Sequence, residues 1–194
     1  MKTKRLPLTT LDLTLIPLFT VLTILGATIR IPLGTVPVSL QSVFVLLSGL
    51  LLGKKGALSQ GLYVLLGLLG LPVFTGGGGL LYIFTPTFGY LLGFIMASYL
   101  VGSFMEKRPT KSLPFLLLYA FLGLLTIYGF GVTYLYVLMG VYFATPLPFI
   151  KALQVGALIF LPMDLVWVSL GAVLTKRLQT LPLFSRRLHT FEKV

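Results

Sequence analysis

The stretch that decides the fold runs from Leu113 to Met139 and reads LPFLLLYAFLGLLTIYGFGVTYLYVLM, with no charged residue. At about 1.5 Å of rise per helical residue, it is long enough to cross a bilayer core about 30 Å thick. Because that core offers no water to backbone groups, we expect a helix here. The alternation of polar and apolar residues that marks an outer-membrane barrel is absent.

The rest of the chain has the same character. Of its 194 residues, 57% are hydrophobic and 10% are charged, and the mean hydropathy is +1.03. Soluble domains carry about 25% charged residues, so a soluble globular protein is excluded, and so is a disordered one. Without cysteine, the chain offers no disulfide and no thiolate metal site. We therefore predict an all-α integral membrane protein.

Turn signals such as Pro32, Lys54-Lys55, Pro72 and Pro109 divide the chain into apolar segments of roughly spanning length. We predict one transmembrane domain over residues 1–194, with six helices. The predicted spans are 12–31, 40–53, 56–70, 86–105, 113–139 and 149–176. The second and third are short, so we expect them to tilt or to be buried against their neighbours.

The basic residues indicate the orientation. With six spans, 13 of the 15 Lys and Arg residues lie on the side that carries both termini, which the positive-inside rule assigns to the cytoplasm. Only Arg30 and Lys151 fall toward the other side. The net charge of +11 therefore reflects topology and predicts no nucleic-acid partner. The 13 residues are Lys2, Lys4, Arg5, Lys54, Lys55, Lys107, Arg108, Lys111, Lys176, Arg177, Arg186, Arg187 and Lys193.

The sequence carries no recognisable catalytic or metal motif. The segment from Gly49 to Lys55 lacks the glycine spacing and the Ser/Thr of a phosphate loop. His189 is the only histidine and lies in the basic tail, away from any serine nucleophile or ligand cluster. We expect no enzymatic activity, no cofactor and no metal.

Asp164 is the clearest functional signal, because it lies inside the sixth span shortly after Pro162. A carboxylate at that depth costs about 2.5–3.5 kcal/mol on insertion scales and normally faces a cavity or a partner. Two interpretations remain open, a hydrogen-bond acceptor for a ligand or a structural pair with Arg30 or Lys151. These two cations are either anchors that reach the interface or attractors of an anionic substrate.

Further polar residues and a glycine-rich connection lie toward the side of the membrane that carries Arg30 and Lys151. Ser39 and Gln41 stand at the start of the second span, where an amide can both donate and accept hydrogen bonds. For Gln41, a helix-capping or interhelical role and a ligand contact both remain open. The connection 71–87 is long and uncharged, and its run Gly76–Gly79 suits the hinges of a lid. Gly89, Gly93 and Ala97 recur every four residues on the fourth span, which favours close helix packing or docking of another membrane subunit.

In this order and spacing, five motifs resemble the BioY biotin transporters, the substrate-binding (S) subunits of energy-coupling factor (ECF) transporters. The resemblance extends from about Leu13 to Leu174. The motifs are Val36-Pro-Val-Ser-Leu-Gln-Ser42, Leu46-Leu-Ser-Gly-Leu-Leu-Leu-Gly53, Gly70-Leu-Pro-Val-Phe74 with the glycine run, Pro86-Thr-Phe-Gly-Tyr-Leu-Leu-Gly-Phe94 and Phe160-Leu-Pro-Met-Asp164.

The resemblance implies a six-helix protein of the bacterial plasma membrane that captures biotin at its extracellular face and carries it as transported ligand. A membrane coupling subunit and two cytoplasmic ATPases would energise it, in agreement with the missing phosphate loop. Another vitamin or small heterocycle is the alternative within transport. An intramembrane enzyme or non-transport subunit is the alternative from another class.

The resemblance also suggests roles for eleven residues. Asp164 would accept a ureido N–H, with Gln41 and Ser39 on the remaining ureido groups. The ring system would contact Tyr90, Phe94, Phe74 and Trp167, and the ligand carboxylate would meet Lys151, Arg30 or the lid backbone. Gly79 and Thr87 complete the predicted site on the lid side.

Two departures from the family pattern concern the same site. The family tends to have a glycine directly before the aspartate and a lysine three residues after it, whereas this chain has Met163 and Trp167 at those positions. At the start of the second span, Ser39 stands in place of the family's threonine. Lys151 is a possible substitute for the missing lysine.

Overall fold

A computed structural model describes residues 8–31, 38–143, 145 and 147–192. Pro32, Val36 and Pro37, together with Lys2, Lys4, Arg5 and Lys193, lie outside the described residues. The elements are α1 (Thr10–Thr28), β1 (Arg30–Ile31), β2 (Val38–Ser39), α2 (Gln41–Leu52), α3 (Gly56–Leu68), α4 (Phe88–Lys107), α5 (Leu113–Val141), α6 (Phe149–Leu153), α7 (Leu161–Leu178) and α8 (Pro182–Glu192).

Most of this architecture is helical and apolar, as the sequence predicts. Within the described residues, four segments are long and apolar enough to cross a membrane: α1, Gln41–Leu68, α4 and α5. The pair α6–α7, bent by 43°, makes a fifth when counted as one span. Leu13, Leu18 and Leu125 are each about half exposed on the outer surface. Such a surface suits contact with lipid and not with water.

The segment Gln41–Leu68 reverses direction at its middle. The amide Nε2 of Gln41 lies 2.6 Å from the hydroxyl of Tyr63, whereas 22 residues of continuous helix would separate them by about 33 Å. The reversal occurs at the turn Gly53–Lys55, where Gly53 has φ +65°. Thus α2 and α3 form an antiparallel hairpin, broken at the lysine pair that the sequence marked as an end.

Helix α2 is the centre of the bundle and is buried on nearly all sides by α1, α3, α4 and α7. Fully buried polar side chains cross-link these helices. The amide of Gln60 on α3 donates to Thr23 on α1 at 3.3 Å and to Ser48 on α2 at 3.2 Å. Ser48 in turn bonds Ser98 on α4 at 2.8 Å. Hydrogen bonds of this kind stabilise helix pairs where the hydrophobic effect between helices is absent.

The small residues of α4 lie at its contact with α5. A Cβ added at Gly89 would come within 2.2 Å of the Cβ of Tyr134, and one at Gly93 within 2.9 Å of the Cα of Ile127. The pattern predicted from the sequence therefore serves internal helix packing.

A two-residue ladder, which the sequence analysis did not predict, closes one end of the bundle. Strands β1 and β2 pair antiparallel, with Arg30 opposite Ser39. The ladder brings the end of α1 next to the start of α2.

The opposite end of the bundle collects charged residues. Asp12, in the first turn of α1, accepts from Lys55 Nζ at 2.5 Å and from Arg187 of α8. Lys54 pairs with Glu106 at 3.0 Å. The start of α1, the α2–α3 turn, the end of α4 and the tail therefore share one end.

The tail from Thr180 to Val194 has the sequence of a short basic end, whereas the structure forms α8 within it. Its apolar residues Phe184 and Leu188 are buried and line a contact with Leu50 and Leu51. Its apolar residues Leu183, Phe184, Leu188 and Phe191 recur at helical spacing, but the segment is short and its Arg186-Arg187 pair drew the interpretation toward a basic tail.

The sixth predicted span is broken in the structure. It consists of α6, a π-helical turn over Gln154–Leu158 and α7. Pro162 stands in the first turn of α7, where proline is tolerated because no intrahelical donor is needed. If the helix continued without a break before Pro162, the proline ring would clash with the carbonyl of the residue four positions earlier. A straight helix therefore could not continue through this point. The break places Asp164 in the first turn of a new helix.

Candidate functional site

A cavity of about 60 Å³ lies at the end of the bundle opposite the charged cluster, among α2, α4, α5 and α7 and beneath the 71–87 connection. One part of its wall is polar and the other apolar. The polar part comprises Ser39, Gln41, Ser42, Thr75, Thr87, Tyr90, Tyr128 and Asp164, and the apolar part comprises Leu91, Phe94, Leu124, Ile127 and Phe160.

Asp164 lies in the polar wall and is 7% exposed. Its Oδ2 accepts from the Tyr128 hydroxyl at 2.5 Å, and its Oδ1 accepts from the Ser42 hydroxyl at 3.0 Å. Its place in the first turn of α7 is favourable for a negative charge, because helix N-termini carry partial positive charge. Among the described residues it forms no ion pair, and neither Arg30 nor Lys151 contacts it. The carboxylate thus has neutral donors and faces unfilled space.

Gln41, the first residue of α2, presents an amide to the same space and is 3% exposed. Its Oε1 accepts from the Ser39 hydroxyl at 3.0 Å, and its Nε2 donates to Tyr63 at 2.6 Å. The amide is therefore held from both sides. Its carbonyl oxygen retains a lone pair for a further donor.

Tyr90 separates the cavity from the π-helical turn. Its hydroxyl donates to the carbonyl of Gly156 at 2.6 Å, one of the backbone groups of that irregular turn. Its ring lies against Gly131 of α5, where an added Cβ would come within 2.3 Å of a ring atom. The ring is thus wedged between two glycines and fixed in orientation.

The 71–87 connection, here called the lid, is folded onto the helices. Phe74 and Gly77 exchange backbone hydrogen bonds of 2.9 and 3.2 Å, and Gly77 and Gly79 adopt positive φ angles of 119° and 98°. The hydroxyl of Tyr82 bonds Thr87 at 2.8 Å and Thr75 at 3.2 Å. These contacts hold Thr75 and Thr87 at the cavity.

Six of the eleven residues predicted from the sequence line this cavity: Ser39, Gln41, Thr87, Tyr90, Phe94 and Asp164.

The other five predicted residues lie elsewhere. Phe74 is buried behind the wall, with ring centres 5.4 Å from Tyr63 and 4.5 Å from Tyr82. The N–H of Gly79 is taken by the Gly67 carbonyl at 2.7 Å.

Trp167 packs against the cluster of α1 and α2 side chains around Phe19 and Val43, one turn of α7 away from Asp164. Arg30 and Lys151 are exposed. Arg30 lies at the rim nevertheless, because its strand pairs it with Ser39.

The sequence reasoning missed Ser42, Thr75 and Tyr128 in the wall and Tyr63 behind it. Ser42 follows Gln41 directly and is the last residue of the motif Val36–Ser42, so its position next to Gln41 was a usable signal. Tyr128 had none, because α5 is apolar on every face and the sequence does not tell which face turns inward. Among the described residues, no three His, Cys, Asp or Glu side chains lie close enough together to hold a metal ion.

Comparison with known proteins identifies what this arrangement is similar to. The chain matches the model of the BioY family over residues 1–182. The biotin transporter BioY of Thermotoga maritima is 40% identical over 166 residues, which is 84% of this chain and 93% of that protein. The biotin transporter BioY of Rhizobium etli is 35% identical over 86% of this chain and 92% of that protein.

The fold is also similar to a solved structure. The crystal structure of the S-component for biotin from an ECF-type ABC transporter superposes with a TM-score of 0.81 at 28% identity, covering 92% of this chain and 98% of that chain.

Proposed function

This chain belongs to the BioY family, and we propose that it captures biotin for uptake as the S component of an energy-coupling factor transporter. The resemblance inferred from the sequence is confirmed. As a member of a transporter family, the chain acts by binding and not by catalysis. The observation that carries the proposal is the carboxylate of Asp164, buried at a cavity wall and, within the described residues, held by neutral hydroxyls.

In the proposed complex, Asp164 and Gln41 bind the ureido ring of biotin. That ring offers two N–H donors and one carbonyl acceptor. The carboxylate of Asp164 accepts one N–H, and the Oε1 of Gln41 accepts the other. A charge-assisted hydrogen bond in a dry pocket is about twice as strong as a neutral one, so Asp164 contributes most. The hydroxyl of Thr87 is available to donate to the ureido oxygen, whereas the one proton of the Ser39 hydroxyl already goes to Gln41.

The apolar wall supports the sulfur-containing ring and the aliphatic tail. Tyr90 and Phe94 offer ring faces, and Leu124 and Ile127 complete the surface. Phe74, which the sequence also suggested as a ring contact, does not line the cavity; it packs behind the wall and supports the lid. We assign Trp167 no ligand contact, because it packs toward α1 and α2.

The ligand carboxylate is proposed to remain at the rim. Arg30 is favoured over Lys151 as its partner, because the β1–β2 ladder ties Arg30 to Ser39. The N–H of Gly79 is already engaged by Gly67, so we leave the lid glycines out of carboxylate recognition.

The lid is proposed to open for entry. A cavity of about 60 Å³ holds a few water molecules, whereas ligand pockets generally measure about 300 Å³ or more. The side chains of the lid and wall must therefore move outward to admit biotin and then enclose it.

We propose six spans with both termini in the cytoplasm, in one domain. The reversal at Gly53–Lys55 supports counting α2 and α3 as separate spans. Each of the two helices is short. Because α2 is buried among neighbouring helices, neither helix has to match the bilayer thickness by itself. Collection of Lys54, Lys55 and Arg187 at one end supports that end as cytoplasmic. The cavity then faces outward.

The proposed partners are one membrane coupling subunit and two cytoplasmic ATPases in a bacterial plasma membrane. The support is the ECF type of the similar solved structure together with the absence of a phosphate-loop sequence in this chain.

Equilibrium binding on the purified protein tests the proposal. We expect saturable biotin binding below micromolar concentration, and biotin among the small molecules that copurify. Riboflavin and thiamine, measured in the same way, serve as controls and should not compete. Absence of saturable biotin binding by folded protein would overturn the proposal.

A further inference from the structure

Tyr63 is a fully buried tyrosine on α3 that lies one layer behind the cavity. Its hydroxyl contacts two groups in the described part of the chain. It accepts a hydrogen bond from the Nε2 of Gln41 at 2.6 Å and donates one to the carbonyl oxygen of Val73 at 3.3 Å. Gln41 belongs to the cavity wall and Val73 to the lid, so a single hydroxyl joins the two.

The number of protons on this hydroxyl fixes the orientation of the Gln41 amide. A tyrosine hydroxyl has one proton to donate, and a backbone carbonyl can only accept. When the proton goes to Val73, the oxygen of Tyr63 must accept from Gln41, so the amide NH₂ faces Tyr63. The carbonyl of Gln41 then faces Ser39, which donates to it at 3.0 Å, and the cavity. The reversed amide would leave the carbonyl of Val73 without this donor.

We propose that Tyr63 is a positioning residue that makes Gln41 present a hydrogen-bond acceptor to the ligand while the lid is closed. This proposal rests on the proposed function. It makes Tyr63 a determinant of specificity, because the wall then offers two acceptors, Asp164 and Gln41, and selects a head group with two N–H donors. A ligand with an acceptor opposite Gln41 meets a repulsive lone pair.

The contact with Val73 makes this orientation depend on the lid. When the lid lifts, the carbonyl of Val73 leaves and the proton of Tyr63 becomes free to turn toward Gln41. The amide can then reverse, and the acceptor is no longer held toward the ligand. Closing the lid therefore completes the recognition surface as well as covering it.

Tyr63→Phe tests the role of the hydroxyl in binding, with biotin and two analogues methylated on one or the other ureido nitrogen as probes. We expect biotin affinity to fall roughly tenfold, the worth of one well-placed hydrogen bond. The preference for biotin over the analogue methylated at the nitrogen facing Gln41 should fall by a similar factor. Tyr119→Phe is the matched control, since this buried tyrosine bonds Arg108 at the opposite end; affinity and preference should both be unchanged.

A double-mutant cycle separates positioning from a general structural effect. In the Gln41→Met background, Tyr63→Phe should change biotin affinity by less than about twofold, because the amide it orients is gone. Independent losses in the cycle, or unchanged preference in Tyr63→Phe, would overturn the inference while biotin binding by the unsubstituted protein still supports the proposed function. Failure of the unsubstituted protein to bind biotin would instead overturn the proposed function.

Discussion

At the residue scale, Asp164 is a buried carboxylate whose immediate surroundings are uncharged. Removing a carboxylate from water costs several kcal/mol, and two neutral hydroxyl donors offset only part of that cost. The first turn of α7 contributes further stabilisation through the partial positive charge of the helix end. A ligand that brings an N–H donor completes the set of hydrogen bonds, which explains why so costly a residue is suited to binding.

Replacement of Asp164 by asparagine is expected to weaken biotin binding by roughly 10- to 100-fold, since a hydrogen bond to a charged group contributes about 1.5–3 kcal/mol. Titration calorimetry on the purified variant measures the change. The control is Glu106→Gln, the same chemical substitution at the opposite end beside Lys54, which should leave affinity unchanged. Full affinity in Asp164→Asn would return this carboxylate to a structural role.

The sequence was informative at this scale where a residue was out of place in its surroundings. Asp164 stood out because a carboxylate in an apolar span is costly, and Gln41 because an amide opened an apolar helix. Tyr128 and Tyr63 carried no such signal, since tyrosine is enriched at membrane interfaces without any role in binding. Their roles depend on which helix face turns inward and on which helices are neighbours, and both are tertiary properties.

At the scale of elements, the contact between α4 and α5 sets the position of Tyr90. Gly131→Ala places a methyl group where the ring of Tyr90 now lies, so the ring must shift toward the cavity. We expect biotin affinity to fall roughly tenfold or more, in line with overpacking costs of about 1–3 kcal/mol. Binding of radiolabelled biotin to the purified variant measures this.

Gly129→Ala is the matched control on the same helix. Within the described residues, no atom apart from the neighbouring backbone of α5 itself lies within 4 Å of an added Cβ there. Affinity should be unchanged, and stability should rise slightly because alanine favours helix over glycine. Equal losses of affinity in both variants would contradict the steric explanation.

The tail helix α8 is expected to stabilise the bundle without affecting binding. Asp12 is 1% exposed and is held by Lys55 and by Arg187. Asp12→Asn removes the charge that both cations face, and breaking a buried pair costs about 3–5 kcal/mol. The midpoint of thermal unfolding in detergent should fall, while biotin affinity stays unchanged.

Arg177→Gln is the control for that variant, because this exposed cation on α7 forms no ion pair within the described residues. Its unfolding midpoint should match that of the unsubstituted protein. An Asp12→Asn midpoint that also matched would show that the ion pairs of Asp12 contribute little to stability.

Element boundaries followed from the sequence where charge or proline interrupts an apolar run. The lysine pair at residues 54–55 marked the α2–α3 turn, and Leu113–Met139 matches α5 closely. The π-helical turn at Gln154–Leu158 was not predictable in the same way. It coincides with a hydrogen bond from the Tyr90 hydroxyl to the Gly156 carbonyl, 66 residues later, which no local pattern encodes.

At the scale of the whole molecule, the proposed topology places the lid and the charged cluster on opposite sides of the membrane. The chain contains no cysteine, so single cysteines report on one position each. Leu81→Cys, at an exposed lid residue, should react with a membrane-impermeant maleimide added to whole cells. Lys107→Cys, at the end of α4, should react only after the cells are opened. Labelling of both from the same side would contradict six spans.

Composition was sufficient to predict a helical membrane protein, because few other structures can accommodate 57% hydrophobic and 10% charged residues. Assembly of the cavity was less accessible to sequence reasoning. Its polar wall joins Gln41, Tyr128 and Asp164 from three helices with Thr87 from the lid. Their convergence depends on the α2–α3 reversal and on how α4, α5 and α7 pack around α2.

The most direct test of biotin capture at this cavity is a crystal structure of the protein with biotin bound. We expect the ureido ring in the cavity beneath the lid, with one N–H about 2.7–2.9 Å from a carboxylate oxygen of Asp164, the other facing the Oε1 of Gln41, and the ligand carboxylate at the rim. Biotin bound elsewhere on the protein, or bound in the cavity with its carboxylate toward Asp164, would contradict the account.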